Sequence, residues 1–162
     1  MPPLTQSFTS QMHGISVSYP EGWMARAATE PWTDRPGVPQ SIDPGFDMLQ
    51  DPVLTDHLFL YFGSRPIGET TPADWVAAQV AGHGCTTTEP IAVDGATGLI
   101  GADDCHIVAV TTAGRGYQIS LLKSEDDPVV VAPYDRAWFE EVLATVRLHP
   151  EDAVDRRPSP SP

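Results

Sequence analysis

The sequence predicts one α+β domain, an antiparallel sheet of about six strands with helices packed against it. Three observations carry this expectation. Segments of period two follow one another through most of the chain, as half-buried strands require. Amphipathic helical stretches occur in only two places, one mid-chain and one near the end, so strands succeed strands instead of alternating with helices as in a parallel α/β fold. The chain has 162 residues, which suits a single hydrophobic core.

In chain order, residues 7–10 open the sheet and Met12-His13-Gly14 turns the chain. Ile15, Val17 and Tyr19 then alternate with Ser16 and Ser18, giving a strand with one buried face. Pro20-Glu21-Gly22 is a turn in which proline fixes φ and glycine supplies the unusual angle, and Trp23 starts a short extended segment to about Ala28. From Glu30 to Asp56, prolines at 31, 36, 39, 44 and 52 break every period, so a long irregular loop is expected. Such loops act as lids or binding loops, or form ordered insertions that cover a sheet edge.

His57 to Ser64 is apolar on both faces, the pattern of a central strand covered on both sides. Thr71-Pro72 supplies an N-cap and a proline at the first helical position, and Asp74 suits the positive helix terminus. That helix runs to about Ala81 on a stripe of Trp75, Val76 and Val80, and Gly82 and Gly84 end it. Strands at about 87–93, 97–101 and 105–112 form a meander with Asp94-Gly95 as a hairpin turn. In 116–122, Tyr117, Ile119 and Leu121 face one way, Gln118 and Ser120 the other. Glu125-Asp126-Asp127 and Pro128 interrupt the pattern. Asp135 then caps a helix whose Trp138, Phe139, Val142, Leu143 and Val146 share one face. The domain spans 5–150, and the Pro/Ser-rich tail 151–162 has too little to bury to be ordered.

The formal net charge of −13 repels nucleic acid and anionic lipid at long range, which argues against nucleic acid as a partner. It suits a cation, a basic partner, or solubility alone. No stretch approaches the roughly 20 apolar residues that span a bilayer, so no transmembrane segment is expected. The opening MPPLTQSFTS is no signal peptide, which leaves the cytoplasm, or the envelope or exterior if a leader was removed. Cys85 and Cys105 would pair in an oxidising compartment, for a gain of about 3 kcal/mol, and stay reduced in the cytosol.

Two phrases, FTSQMHGISVSYPEGW at the start and GRGYQISL with YDRAWFEEVLATVRLHPEDA at the end, resemble bacterial PsbP-like domain proteins of the uncharacterised, lipoprotein-type branch. The residues that carry the resemblance, covering most of 7–150, are structural: Gly14, Tyr19, Pro20, Gly22 and Trp23 make a strand and turn, and Trp138, Phe139 and Leu143 a helix face. It implies an α/β/α sandwich in a superfamily that includes extrinsic photosystem subunits and a nuclear-transport accessory protein. Its members mostly bind proteins or ions, and it implies neither a reaction nor a cofactor.

Candidate sites are few. His83-x-Cys85 and Cys105-His106 are zinc-type residues without zinc-finger spacing, so a Cys85–Cys105 disulfide or two buried thiols is the expectation and no metal is assigned. Asp43, Asp47, Asp51 and Asp56, with the clusters Asp103-Asp104 and Glu125-Asp126-Asp127, lack a calcium-loop spacing. His13, His57 and His106 could join a Ser/His/Asp set, but no nucleophile-elbow motif marks one. Gly114-Arg115-Gly116 joins strands instead of opening a phosphate-binding helix. What remains is a recognition surface on the 30–56 loop, with Trp32, Phe46, Arg26, Arg35 and His57 as contacts, because aromatics and arginine dominate binding hot spots. The expectation is thus a non-enzymatic binding or accessory domain for a protein or envelope component. The alternative is a hydrolase-like small-molecule enzyme with its site under that loop.

Overall fold

Alternation along the strands sorts the side chains into two opposed layers. The computed structural model describes residues 1–54, 57–124 and 128–156. Its strands are β1 (Leu4–Thr9), β2 (Ile15–Pro20), β3 (Met24–Arg26), β4 (Asp47–Gln50), β5 (Leu58–Pro66), β6 (Thr88–Val93), β7 (Ala96–Gly101), β8 (Ile107–Thr112), β9 (Arg115–Lys123) and β10 (Arg147–Leu148). The helices are α1 (Pro72–Gly82), a short α2 (Pro128–Val131) and α3 (Arg136–Thr145). A seven-stranded sheet has the order β3-β4-β5-β9-β8-β7-β6, and a three-stranded one the order β1-β2-β10. The pairings in both are antiparallel.

On one face of the large sheet, Leu60 and Phe62 of β5, Val108 and Val110 of β8 and Tyr117, Ile119 and Leu121 of β9 pack with Trp138, Phe139 and Val142 of α3 and with Ile15 and Val17 of β2. On the other face, Ile107 and Ala109 of β8 meet Trp75, Val76 and Val80 of α1. Phe59 and Tyr61, also on that second face, meet Phe46 and Trp32. Both faces of β5 and β9 are therefore covered, as the unbroken apolar run of β5 foretold. Caps fix the helix starts: Thr71 Oγ1 accepts the Asp74 N–H at 3.2 Å and Asp135 Oδ1 accepts the Trp138 N–H at 2.9 Å. The α+β sandwich expected from the sequence is the observed architecture.

The structure differs from expectation in two places. The large sheet has seven strands instead of about six. The 30–56 segment is partly regular, because β4 lies within it, held between β3 and β5; four residues between prolines show no period, and only the neighbouring strands make them a strand. Beyond residue 150 the described residues make contacts as far as Asp155. Pro150–Asp152 forms a 3-10 turn, the Val154 N–H donates to Met12 O at 2.8 Å, and Asp155 pairs with Arg115 at 2.6 Å. That carboxylate answers a guanidinium left 7% exposed, a need visible only once the sheet is folded.

Candidate functional site

The large sheet has a notch at one end. β8 begins at Ile107, opposite Ser120, whereas β9 continues to Lys123, opposite Leu58 of β5. Beyond that register, the Leu121 N–H still donates to His106 O at 2.9 Å. The space beside residues 121–124 is a cleft of about 440 Å³. Ile107, Leu121, Leu122 and Val131 form its apolar wall, and Tyr61, His83, Asp104, His106, Ser120 and Lys123 its polar one. Lys123 is the single lysine of the chain.

The polar wall divides into groups that satisfy one another and groups that do not. His83 Nδ1 donates to Gln79 O at 3.0 Å, which leaves Nε2 to accept from the Tyr61 hydroxyl at 2.8 Å and the Gln118 amide at 3.2 Å. Burial pushes the Tyr61 phenol up, against the pull of nearby Ser120 and Gln118, so it stays a protonated donor. In contrast, among the described residues His106 Nε2 and Ser120 Oγ are buried with no partner at hydrogen-bond distance, although the Tyr61 hydroxyl lies near Ser120. His106 is 5% exposed, and its ring meets Phe139 edge to face. Burial and then Lys123 hold it below the ordinary imidazole value, the Asp104 carbonyl and carboxylate pull it back, and Arg136 lowers it further.

Cys85 and Cys105 form a disulfide. It ties the segment after α1, which carries His83, to the segment before β8, which carries His106. Both sulfurs are thereby consumed, and the zinc set weighed from the sequence loses its thiolates.

Of the contact residues expected on the 30–56 loop, the structure gathers Trp32, Phe46 and Arg35 and leaves Arg26 and His57 apart. Phe46 is buried, packing on Trp32 at 5.1 Å and Tyr61 at 5.4 Å. Trp32 is half-buried, with the Trp75 ring at 6.1 Å and the Arg65 guanidinium over its face at 5.2 Å. Arg35 forms ion pairs with Glu30 and Asp43, each at 2.9 Å. Trp32 and Phe46 fasten the segment to the sheet face, because aromatic surface next to a bare sheet gains most by burial, while Arg35 ties the segment to itself. Arg26 is exposed and donates to Ser41 O at 2.6 Å, and His57 is exposed at the start of β5.

The acidic residues of this segment do not converge. Asp43 Oδ1 accepts the Gly45 N–H at 2.8 Å, Asp47 Oδ1 the Ala28 N–H at 2.7 Å and Asp51 Oδ1 the Val53 N–H at 2.8 Å. Asp56 and Glu125-Asp126-Asp127 lie outside the described residues. Sequence reasoning passed over His149, Glu151 and Asp152, whose ligand atoms lie within 4.8 Å of one another at the surface; the His-x-Glu-Asp spacing was the available signal. A Ser/His/Asp grouping does form from Ser64, His13 and Asp47, all fully buried. The Ser64 hydroxyl donates to His13 O at 2.7 Å and accepts from Arg115 Nε at 2.8 Å. His13 Nδ1 accepts the Ser64 N–H at 3.0 Å and Nε2 donates to Gly45 O at 2.7 Å, so this set pins the β1–β2 turn to β5.

A seven-stranded antiparallel sheet covered by α1 and the 30–56 segment on one face, and by α3 and a small sheet on the other, defines a three-layer α+β domain. Within that class the fold is PsbP-like. The chain superposes on the solution structure of cyanobacterial PsbP (CyanoP) from Synechocystis sp. PCC 6803 with a TM-score of 0.51 and 18% identity, over 89% of this chain and 92% of that one. A crystal structure from Bacteroides thetaiotaomicron VPI-5482 aligns with a TM-score of 0.47 and 13% identity, over 91% of this chain and 49% of that one. No protein-family model and no curated protein sequence matches the chain.

Proposed function

We propose that the domain is a non-enzymatic binding or accessory domain that takes a ligand in the notch between β8 and β9. The observation that carries this reading is the pairing of an open cleft with two buried polar atoms of its lining residues, His106 Nε2 and Ser120 Oγ, that have no hydrogen-bond partner among the described residues. Unpaired buried polar groups cost roughly 1–3 kcal/mol each, and native folds keep few of them. A hydrolase-like site under the 30–56 segment has no such support, because Phe46, Met48, Phe59 and Tyr61 fill the space beneath it. That segment keeps one argument as a partner-facing surface: Ile42 and Val53 on it are 64% and 86% exposed.

The test is a fragment panel of small acids, amines and uncharged molecules titrated into the protein while amide NMR shifts are followed. Shifts confined to residues 104–107, 120–124 and 83 are the expected result. Shifts gathered around Ile42 and Val53 would move the contact to the 30–56 segment. No shift in the cleft at millimolar fragment would overturn the cleft reading.

A further inference from the structure

We infer that this cleft takes a small organic anion, a carboxylate on an apolar body, with the carboxylate toward Lys123 and the body against Ile107, Leu121 and Leu122. The inference rests on the cleft reading and adds the chemical class of the ligand. A volume of about 440 Å³ lies in the range of small-molecule sites, which are apolar cavities with a few placed polar groups.

Charge points to the anion. The molecule carries −13, yet its one lysine lies in the wall of this cleft. Arg136, outside the cleft, donates to Gly101 O at 2.6 Å and pairs with Glu89 and Glu140 at 3.2 Å each, so the positive charge left for a ligand is that of Lys123. Of the two charged groups in the wall, Lys123 acts on His106 more strongly than the Asp104 carboxylate does, so their combined field there is positive. A cleft with low-dielectric walls strengthens such a field. Tyr61, His83 and Gln118 are engaged with one another and keep the wall in place. Among the described residues Lys123 has no partner for its donors, which leaves them for a carboxylate, and the Ser120 hydroxyl can donate behind it.

The experiment compares three probes of one chain length, octanoate, octanamide and octylamine, by calorimetry and amide NMR on the full chain. Octanoate is expected to shift residues 104–107 and 120–124 saturably and to bind at least about tenfold more tightly than octanamide, the worth of one charge-assisted contact. Lys123→Met should abolish that preference and Lys123→Arg should retain it. Equal binding of the amide, or tighter binding of the amine, in the same cleft overturns the anion assignment while the cleft reading stands. If none of the three binds although the fragment panel maps to the cleft, the inference fails alone.

Discussion

His13 and His106 show how burial decides the charge of a side chain. Burial holds both below the ordinary imidazole value of 6.5. For His13, Asp47 and the Gly45 and Ser64 backbone pull upward and Arg115 downward; for His106, Lys123 and Arg136 act downward and Asp104 upward. The unfolded chain therefore takes up protons before the native state does as pH falls through 6.5. Stability present above that value is lost on acidification. Asp47 has the opposite sign: burial raises its carboxyl above 3.8, so the native state protonates first and acidification toward 3.8 returns some stability. The urea midpoint should fall between pH 7.5 and 5.5, and His106→Asn should flatten that fall. A midpoint unchanged across this range in the parent protein would refute the argument.

Among the elements, α1 depends most on distant residues. Its Trp75 ring rests on Gly116 of β9 so closely that a side chain at 116 would collide with it. Its C-terminal end is held by the Cys85–Cys105 disulfide, 20 residues apart in sequence. Closing a loop of that length contributes about 3 kcal/mol. The Cys85→Ser/Cys105→Ser protein should lose about that much in chemical denaturation. It should also exchange amide hydrogen faster at 82–87 and 102–106, the two sides of the cleft. Equal exchange there would mean that packing alone holds the cleft.

At the scale of the whole molecule, the chain ends are tied to the core by polar contacts. Arg115 lies 7% exposed at the start of β9 and meets Asp155 from the far end of the chain. Removing one partner of a buried ion pair leaves an uncompensated charge, which costs on the order of 3 kcal/mol. Because Asp155 is half-exposed, a smaller loss of about 2 kcal/mol is expected from truncation after Val154. Thermal unfolding of the truncated chain measures it, and an unchanged midpoint would show the pair to be ornamental.

Most of the fold was legible because its signals are local. The alternation in β2 and β9, the two-sided apolar run of β5, the capped starts at Thr71 and Asp135 and the hairpin at Asp94-Gly95 each lie within a few residues, and together they determine an antiparallel sheet with helices on it. β4 was hidden because four residues between prolines have no period of their own. The packing of the 30–56 segment was hidden for a related reason: Trp32, Phe46 and Arg35 have hot-spot chemistry, yet sequence cannot tell an aromatic facing a partner from one facing its own sheet. The cleft could not be read at all. It exists because β8 starts later than β9 ends, a matter of strand register, and it unites His83, His106, Ser120 and Lys123 from three segments. The sequence by itself determined the class of domain, since local periodicity dictates which faces must be buried. Only the tertiary structure decided where space was left unfilled and which polar groups were left unpaired, because both depend on how distant segments meet.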